Sequence, residues 1–408
     1  METYFIILKI ILQTLAGKNL SYLLNEYKEN EDLPRIKNTC YGLFRNYYSI
    51  NFCIDKLLKS TTQELRTILQ IGIFELKYSN KPNYAVLNDL VNFAFEVTNK
   101  KSSKKFINGV LREFTRNEEV FQEMIEKDYS LKYNIPNWII SKLKLQNKAA
   151  YLHYLEGFNY HPAFGVRIND RKTNIDLYTE QLKVNNIDYN VIDKKIILGK
   201  ALNVSLLPQF DLGCVSVQDI AAQYTIDILK ENNINPHDVL DACSAPGGKT
   251  CQILENYECN LTALDIDKNR IAKVEQNLDR LNLQATTIVG NALSKNWWNG
   301  NKFDLILADV PCSASGTIKR NPDIKVVRPE NDIIRFAANQ RKIVTNLWDM
   351  LENNSYMLYV TCSIFNEENQ DNVKWFVDNL FSCELIEERQ IIPTEYNDSL
   401  YYALIYKK

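Results

Sequence analysis

Apolar positions recur along this chain with two periods, and the period changes near residue 213. Up to about residue 125 the spacing is helical. Leu65, Ile68, Leu69, Gly72, Ile73 and Leu76 follow an i, i+3, i+4, i+7 stripe. Phe106, Val110 and Phe114 repeat it on a basic stretch. Tyr4 to Leu15 is nearly as apolar as a signal core, but Lys9 interrupts it, and no basic leader or small-residue cleavage site flanks it. It reads as an amphipathic helix. Pro34 and Pro82 fall at helix junctions. The pattern predicts an all-helical domain over residues 1–128. Residues 129–212 mix a helix, Trp138 to Leu155, with strand-like runs at Phe164 to Ile168 and Lys195 to Leu198. They predict a small α+β subdomain.

From residue 213 to residue 408, strands and helices alternate. Strands are expected at Val239-Leu240, Leu261 to Leu264, Thr286 to Val289, Phe303 to Ala308 and Tyr356 to Val360. Helices run through Leu254, through Leu281 and from about 332 to 352. Such alternation predicts an α/β domain with a parallel, doubly wound, Rossmann-like sheet and ligand groups at the strand carboxyl ends. Tyr401 to Tyr406 is expected as a last, antiparallel edge strand. The fold class is therefore multidomain, in the order all-α, small α+β, α/β.

Composition adds boundaries. The 408 residues leave room for two or three domains, and 45% apolar content is ordinary for a globular chain. A net charge of −2 demands no polyanionic partner, so only local charge can point to one. Residues 100–116 carry Lys100, Lys101, Lys104, Lys105, Arg112 and Arg116 against the single acid Glu113. Residues 319–342 carry seven basic and three acidic side chains. Both stretches together fit a localised anionic partner, but for either one alone a solvated helix face is the favoured reading. Nine cysteines without a C-x-x-C pair suit free thiols in a reducing, cytoplasmic setting. The three histidines are not spaced with cysteines as zinc ligands, and no apolar run reaches transmembrane length.

Three strand ends carry chemistry. The first leads into Asp241-Ala242-Cys243-Ser244-Ala245-Pro246-Gly247-Gly248-Lys249-Thr250. A Walker A loop needs glycine at position 243, where this chain has cysteine, and the spaced dinucleotide glycines are also missing. Adjacent glycines at a helix start still let backbone approach a ligand closely. Asp265 ends the next strand, where an acid can accept both hydroxyls of a ribose. A tight turn with a surface aspartate is the bland alternative. The other two strand ends carry thiols, in Asp309-Val310-Pro311-Cys312-Ser313 and Thr361-Cys362-Ser363. Both cysteines leave apolar strands for polar turns. Lys319 and Arg320 are placed to favour a thiolate, and a thiolate attacks an electron-poor ring carbon well when an acid polarises the ring.

With these residues in view, the chain resembles the bacterial ribosomal RNA cytosine-5 methyltransferases of the RsmB/Sun (Fmu) type, nearly end to end. Cys243-Ser244-Ala245-Pro246-Gly247-Gly248-Lys249 is similar to their S-adenosylmethionine loop. Asp309 to Gly316 and Thr361-Cys362-Ser363 are similar to the two catalytic motifs. Arg320-Asn321-Pro322-Asp323-Ile324-Lys325 and Asn366-Glu367-Glu368-Asn369 match as well. The helical segment ending Phe106-Ile107-Asn108-Gly109-Val110-Leu111-Arg112 resembles the NusB-like RNA-binding domain of this type. The resemblance implies S-adenosyl-L-methionine as cofactor. Its binding residues would be Cys243, Ser244, Ala245, Pro246, Gly247, Gly248, Lys249, Asp265, Asn291 and Asp309. It implies Cys362 as nucleophile at carbon 6 of a cytosine, Asp309 on ring nitrogen 3, and Cys312 in release. The implied partner is small-subunit ribosomal RNA before full assembly, bound by a monomer, with no membrane and no metal. Three positions depart from the pattern: Asn291 replaces an acid, Val310 an alanine and Ser399 a glycine. Transfer RNA methylation, or RNA binding without catalysis, are the rival readings. A nicotinamide oxidoreductase lacks its glycines.

Overall fold

In the computed structural model, which describes residues 1–408, helices alone build the chain up to Gly157. They are α1 (Glu2–Leu15), α2 (Leu20–Asn25), α3 (Leu33–Arg45), α4 (Tyr47–Leu57), α5 (Gln63–Tyr78), α6 (Asn83–Thr98), α7 (Lys101–Glu126), α8 (Tyr129–Lys132), α9 (Asn137–Gln146) and α10 (Tyr151–Gly157). Thr62 starts α5 by accepting the Leu65 N–H, and the expected stripe then buries Ile68, Leu69, Gly72 and Ile73. Gly72 has to be small there, because a Cβ would stand 2.8 Å from the Leu111 side chain of α7. Helix α1 is amphipathic as expected and buries Tyr4, Ile7, Leu8, Ile10 and Ile11. Helix α7 buries Ile107, Leu111 and Phe114, and leaves Lys101, Lys105 and Arg112 exposed. The single helix expected from Trp138 to Leu155 is two helices. Asn147 leaves the helical region, at φ −148° and ψ 83°, and its side chain accepts the Ala150 N–H, the capping habit that keeps asparagine out of helix interiors.

The chain divides into two units, residues 1–159 with 318–330, and residues 160–317 with 331–408. The α+β segment expected over 129–212 is thus shared, α8, α9 and α10 going to the first unit and the strands, with one further helix, to the second. The short return segment, 318–330, is tied into the helical unit by main-chain hydrogen bonds. Asp323 accepts the Leu20 N–H at 3.3 Å, Tyr48 donates to the Lys325 carbonyl at 2.8 Å, and Arg45 donates to the Lys319 carbonyl at 3.4 Å. Lys319 and Lys325 are only 1% and 4% exposed. Two of the seven basic side chains of residues 319–342 are thus withdrawn from any anion-binding surface. The Lys325 ammonium donates to the Arg45 carbonyl, and burial, helped by the Arg45 charge, pushes its pKa down to about 7.

The second unit has two sheets. The smaller joins β1 (Phe164–Ile168), β2 (Tyr189–Ile192), β3 (Lys195–Leu198) and β4 (Val215–Val217) in the order β2-β3-β1-β4, all antiparallel, with α11 (Ile175–Val184) between β1 and β2 in sequence. The larger follows α12 (Ile220–Glu231). Its elements are β5 (Asp238–Ala242), α13 (Gly248–Asn256), β6 (Asn260–Asp265), α14 (Lys268–Leu281), β7 (Thr286–Val289) and β8 (Phe303–Asp309). After α15 (Ile324–Val327), which belongs to the first unit, come α16 (Asn331–Trp348), β9 (Leu351–Thr361), α17 (Gln370–Asn379), β10 (Cys383–Ile391) and β11 (Leu400–Lys407).

The seven strands lie in the order β10-β11-β9-β8-β5-β6-β7. The five from β9 to β7 are parallel, as the alternation predicts. The sheet is nevertheless mixed, because β11 runs antiparallel to both β9 and β10. The strand at Tyr401 to Tyr406 is therefore interior, not the expected edge. Its unbroken apolar run is the mark of a strand covered on both faces. The edge is β10, whose Glu384, Glu387, Glu388 and Arg389 suit an open rim. Because β8 lies between β5 and β9, the three chemical strand ends emerge side by side.

Candidate active site

The loop after β5 is held from several directions. The Ser244 N–H donates to the Leu264 carbonyl at 2.9 Å, and the Ala245 N–H donates to Asp265 at 3.2 Å. Arg270 donates to the Ala245 carbonyl, and Asn277 to the Pro246 carbonyl. Gly247 sits at φ +96°, where a side chain is strained, and α13 begins at the next residue. Two observations fit a ligand carried against this loop. The Ser244 hydroxyl is buried without a hydrogen-bond partner. A Cβ on Gly248 would meet nothing nearer than 3.7 Å, so its backbone is open to close approach. Cys243 also has positive φ, and burial first of all pushes its thiol up to about 12, so it is neutral.

The carboxylates nearby are distinct in role. Asp265 is buried, accepts the Ala245 and Asp267 N–H groups, and lies 3.4 Å from the Arg270 guanidinium. Holding the loop is thus one of its tasks. Asn291, past the end of β7, is exposed and accepts the Leu293 N–H with its side-chain oxygen. Lys249 turns its ammonium onto Asp309 at 2.7 Å. Asp241 was not singled out from sequence. It is fully buried, accepts the Thr250 hydroxyl at 2.5 Å on one oxygen and has no partner on the other. Burial, reinforced by the neighbouring Asp309 and Asp265, raises its pKa to about 7.

The two thiols meet. Cys312, beyond β8, and Cys362, beyond β9, have their sulfur atoms 3.3 Å apart. The Cys312 thiol is raised well above its ordinary pKa, first by the hydrogen bond to Cys362 and then by burial. This corrects the idea that Lys319 and Arg320 favour a thiolate at Cys312. The turns around the pair are knitted by hydroxyls. Ser313 donates to Ser315 at 2.9 Å, the Ile364 N–H donates to Ser315, and the Gly316 N–H donates to the Cys362 carbonyl at 2.8 Å.

A second residue that sequence reasoning passed over is Arg167, on β1. It is buried, holds Glu255 through two hydrogen bonds of 2.9 and 2.8 Å, and donates to Gln218 and to the Gly248 carbonyl at 2.7 Å. The small sheet thereby fixes the start of α13. No spacing rule could link residues 81 positions apart. The only sequence signal is an arginine inside a short apolar strand, where a charge needs a partner.

Comparison with known proteins agrees with this geometry. The family described as 16S rRNA methyltransferase RsmB/F matches residues 228–403, and the NusB family matches residues 6–116. The ribosomal RNA small subunit methyltransferase B of Proteus mirabilis is 35% identical, covering 98% of this chain and 97% of its own. That of Pasteurella multocida is 34% identical over 100% of this chain and 96% of its own. Among solved structures, PH0851 superposes with a TM-score of 0.79 at 20% identity, over 98% of both chains. NSun6 from Pyrococcus horikoshii does so with a TM-score of 0.58 at 18% identity, over 67% of this chain and 98% of its own. At these identities the structural matches speak for the fold.

Proposed function

The chain belongs to the 16S rRNA methyltransferase RsmB/F family, and we propose that it methylates carbon 5 of a cytosine in small-subunit ribosomal RNA through a covalent adduct on Cys362. The observation that carries the chemistry is the pair of sulfurs 3.3 Å apart, beyond the ends of β8 and β9, with β8 next to the strand whose loop bears the orphaned Ser244 hydroxyl. S-adenosyl-L-methionine, held by that loop, supplies the methyl group that carbon 5 takes. Residues Cys243 to Lys249 would line it. Asp265 uses two of a carboxylate's roughly four acceptor positions on N–H groups, which leaves capacity for ribose hydroxyls. Asn291 would meet the adenine side without a charge.

Cys362, as a thiolate, adds to carbon 6 of the ring. The electron pair released from the 5,6 double bond is drawn toward ring nitrogen 3, where Asp309 makes a hydrogen bond. The Lys249 ammonium holds that carboxylate and adds positive potential where charge develops. Once carbon 5 carries its methyl, loss of the carbon-5 proton restores the double bond and expels the Cys362 sulfur. Cys312 takes part in that proton removal. The neighbouring sulfur and burial keep Cys312 a neutral thiol at rest, so it has to release its own proton to solvent before its thiolate can take the one from carbon 5.

The target base has to leave its stack to reach the two half-buried cysteines, which favours a single-stranded or loop site in RNA not yet fully assembled. The helical unit would hold phosphates through α7. The working form is taken as a cytoplasmic monomer, and no helix is long and apolar enough to cross a membrane. Incubating the protein with methyl-labelled S-adenosyl-L-methionine and either 16S RNA or transfer RNA, followed by bisulfite sequencing, tests the reading. Label confined to bisulfite-resistant cytosines of 16S RNA is expected. Label on transfer RNA alone, or on cytosines that bisulfite still converts, overturns it.

A further inference from the structure

The last hydrogen-bonded register between β8 and β9 pairs Asp309 with Val360. Beyond it the two chains enter separate turns, and the ladder no longer sets their spacing. Both cysteines lie beyond that point. Their separation depends on what ties the turns together, and one buried side chain touches both. Glu368 stands in a short 3-10 turn at residues 366–368 and is fully buried. One carboxylate oxygen accepts the N–H of Ser313, the residue after Cys312, at 2.9 Å. The other accepts the hydroxyl of Ser363, the residue after Cys362, at 2.5 Å.

The remaining contacts brace this bridge. Gln340 donates to the first oxygen at 2.9 Å and to the carbonyl of Pro311, the residue before Cys312, at 3.1 Å. Tyr359 donates to the Glu368 carbonyl at 2.6 Å. Asn369 accepts the Thr361 hydroxyl at 2.6 Å and donates to the Ser363 carbonyl at 3.0 Å. Each cysteine is therefore flanked on both sides by residues bonded to Gln340, Glu368 or Asn369. The bridge needs acceptors on both arms of residue 368. A carboxylate has them, whereas a glutamine of the same shape has one acceptor arm and one donor arm. Burying a carboxylate is costly unless several donors face it, and three do here.

We infer that Glu368 is a positioning residue that sets the separation of the Cys312 and Cys362 sulfurs by bonding the residue after each of them. Its importance for turnover rests on the two-cysteine reading above, but its effect on spacing does not. Glu368 touches neither sulfur and acts through the turns that carry them.

The test reads the spacing directly. Diamide converts two neighbouring thiols to one disulfide and is itself reduced to the hydrazine, taking up both protons. The rate of Cys312–Cys362 disulfide formation, followed by peptide mass spectrometry, reports how often the sulfurs meet in geometry that allows a bond. Glu368→Ala and Glu368→Gln should each slow it by about tenfold. Each should also lower kcat for methyl transfer by up to about 100-fold, the effect of a misplacement near 1 Å, while KM for S-adenosyl-L-methionine stays within about twofold. The glutamine variant keeps the side-chain volume and decides the matter if the alanine variant does not fold. Wild-type disulfide rates in the folded variants overturn the inference. So does a loss of S-adenosyl-L-methionine affinity in proportion to kcat, which marks general collapse of the site. Failure of the two-cysteine reading shows up elsewhere, as turnover in Cys362→Ala, and leaves the disulfide result standing.

Discussion

Lys249 reaches out of the first turn of α13 and places its ammonium 2.7 Å from the carboxylate of Asp309 at the end of β8. Burial works against the ammonium, but the Asp309 charge outweighs it and raises the lysine pKa above its ordinary range. Lys249→Met should lower kcat by about 10²-fold or more, the scale of removing one preorganised charge. Circular dichroism should show an intact fold. A group whose folded pKa is raised contributes stability fully below its unfolded pKa, near about 10.4, and loses it only as pH rises through the higher folded value. The melting difference between variant and wild type should therefore be flat from about pH 7 to 9. A difference that shrinks across that window would contradict a charged, paired lysine.

The two sulfurs predict opposite phenotypes. Cys362→Ala should abolish methyl transfer and leave S-adenosyl-L-methionine binding intact by calorimetry. Cys312→Ala should still form the bond from Cys362 to carbon 6 but fail to resolve it. A denaturing gel should then show a slow protein–RNA band that needs both RNA and cofactor. Sustained turnover in Cys312→Ala, with no such band, would reduce Cys312 to a packing residue.

The strands that carry the site were legible because each motif follows a continuous apolar run, the mark of a strand buried on both faces. Residues 286–289 and 195–198 also coincide with β7 and β3, where β-branched residues recur in short runs. The position of β11 inside the sheet was not legible. Strand order is set by pairing across the chain, and neither its period nor its composition names its neighbours. The site divides likewise. Cys312, Cys362, Asp309 and the glycine loop announce themselves through residue type at a strand end. Asp241 and Glu368 stand inside quoted motifs and Arg167 in none, but all three act through buried hydrogen bonds or an orphaned oxygen, and a linear pattern holds no record of those roles.

Asp241 predicts a pH dependence. Its folded pKa is raised to about 7 by burial, above the unfolded 3.8. The folded state therefore holds a proton that the unfolded state releases between these values, and the group's contribution to stability falls as pH rises from about 4 to 7. The full swing is at most about 4 kcal/mol, since each pH unit between the folded and unfolded values is worth about 1.4 kcal/mol. Asp241→Asn removes it. Relative to wild type, the asparagine variant should melt higher at about pH 7.5 than at about pH 5. A constant difference at both values would mean that Asp241 is ionised throughout.

Gly316 is confined by backbone. A Cβ there would stand 2.2 Å from the Ser399 carbonyl oxygen and 2.9 Å from that of Cys362. Its N–H bonds the Cys362 carbonyl, and its own carbonyl accepts the Ser399 N–H. No flexible side chain can give way, so Gly316→Ala has to displace the Cys362 turn. We expect a stability loss of about 1–3 kcal/mol by denaturant unfolding. Methyl transfer should fall by at least about tenfold, with S-adenosyl-L-methionine affinity preserved. Unchanged turnover would show that the turn tolerates movement.

The exposed face of α7 sets the last prediction. Lys101, Lys105 and Arg112 are spaced at four and seven residues, so they project from one side of the helix, and all three are exposed. Lys104 is engaged elsewhere, with its ammonium 3.0 Å from the Asn92 side-chain oxygen and 4.9 Å from the centre of the Phe95 ring. The informative variant is therefore Lys101→Gln with Lys105→Gln and Arg112→Gln, leaving Lys104 in place. If each charge displaces one phosphate counterion, the slope of log affinity against log salt should become shallower by about 2–3 units. The chemistry, carried by Cys362 and Asp309 in the other unit, should continue at saturating RNA, so the loss falls on KM for RNA and not on kcat. With Lys319 and Lys325 buried, the return segment keeps only Arg320 and Arg328 as partly exposed basic side chains. An unchanged slope in the triple variant would make the α7 face an ordinary solvated surface and would move RNA capture to the methyltransferase unit.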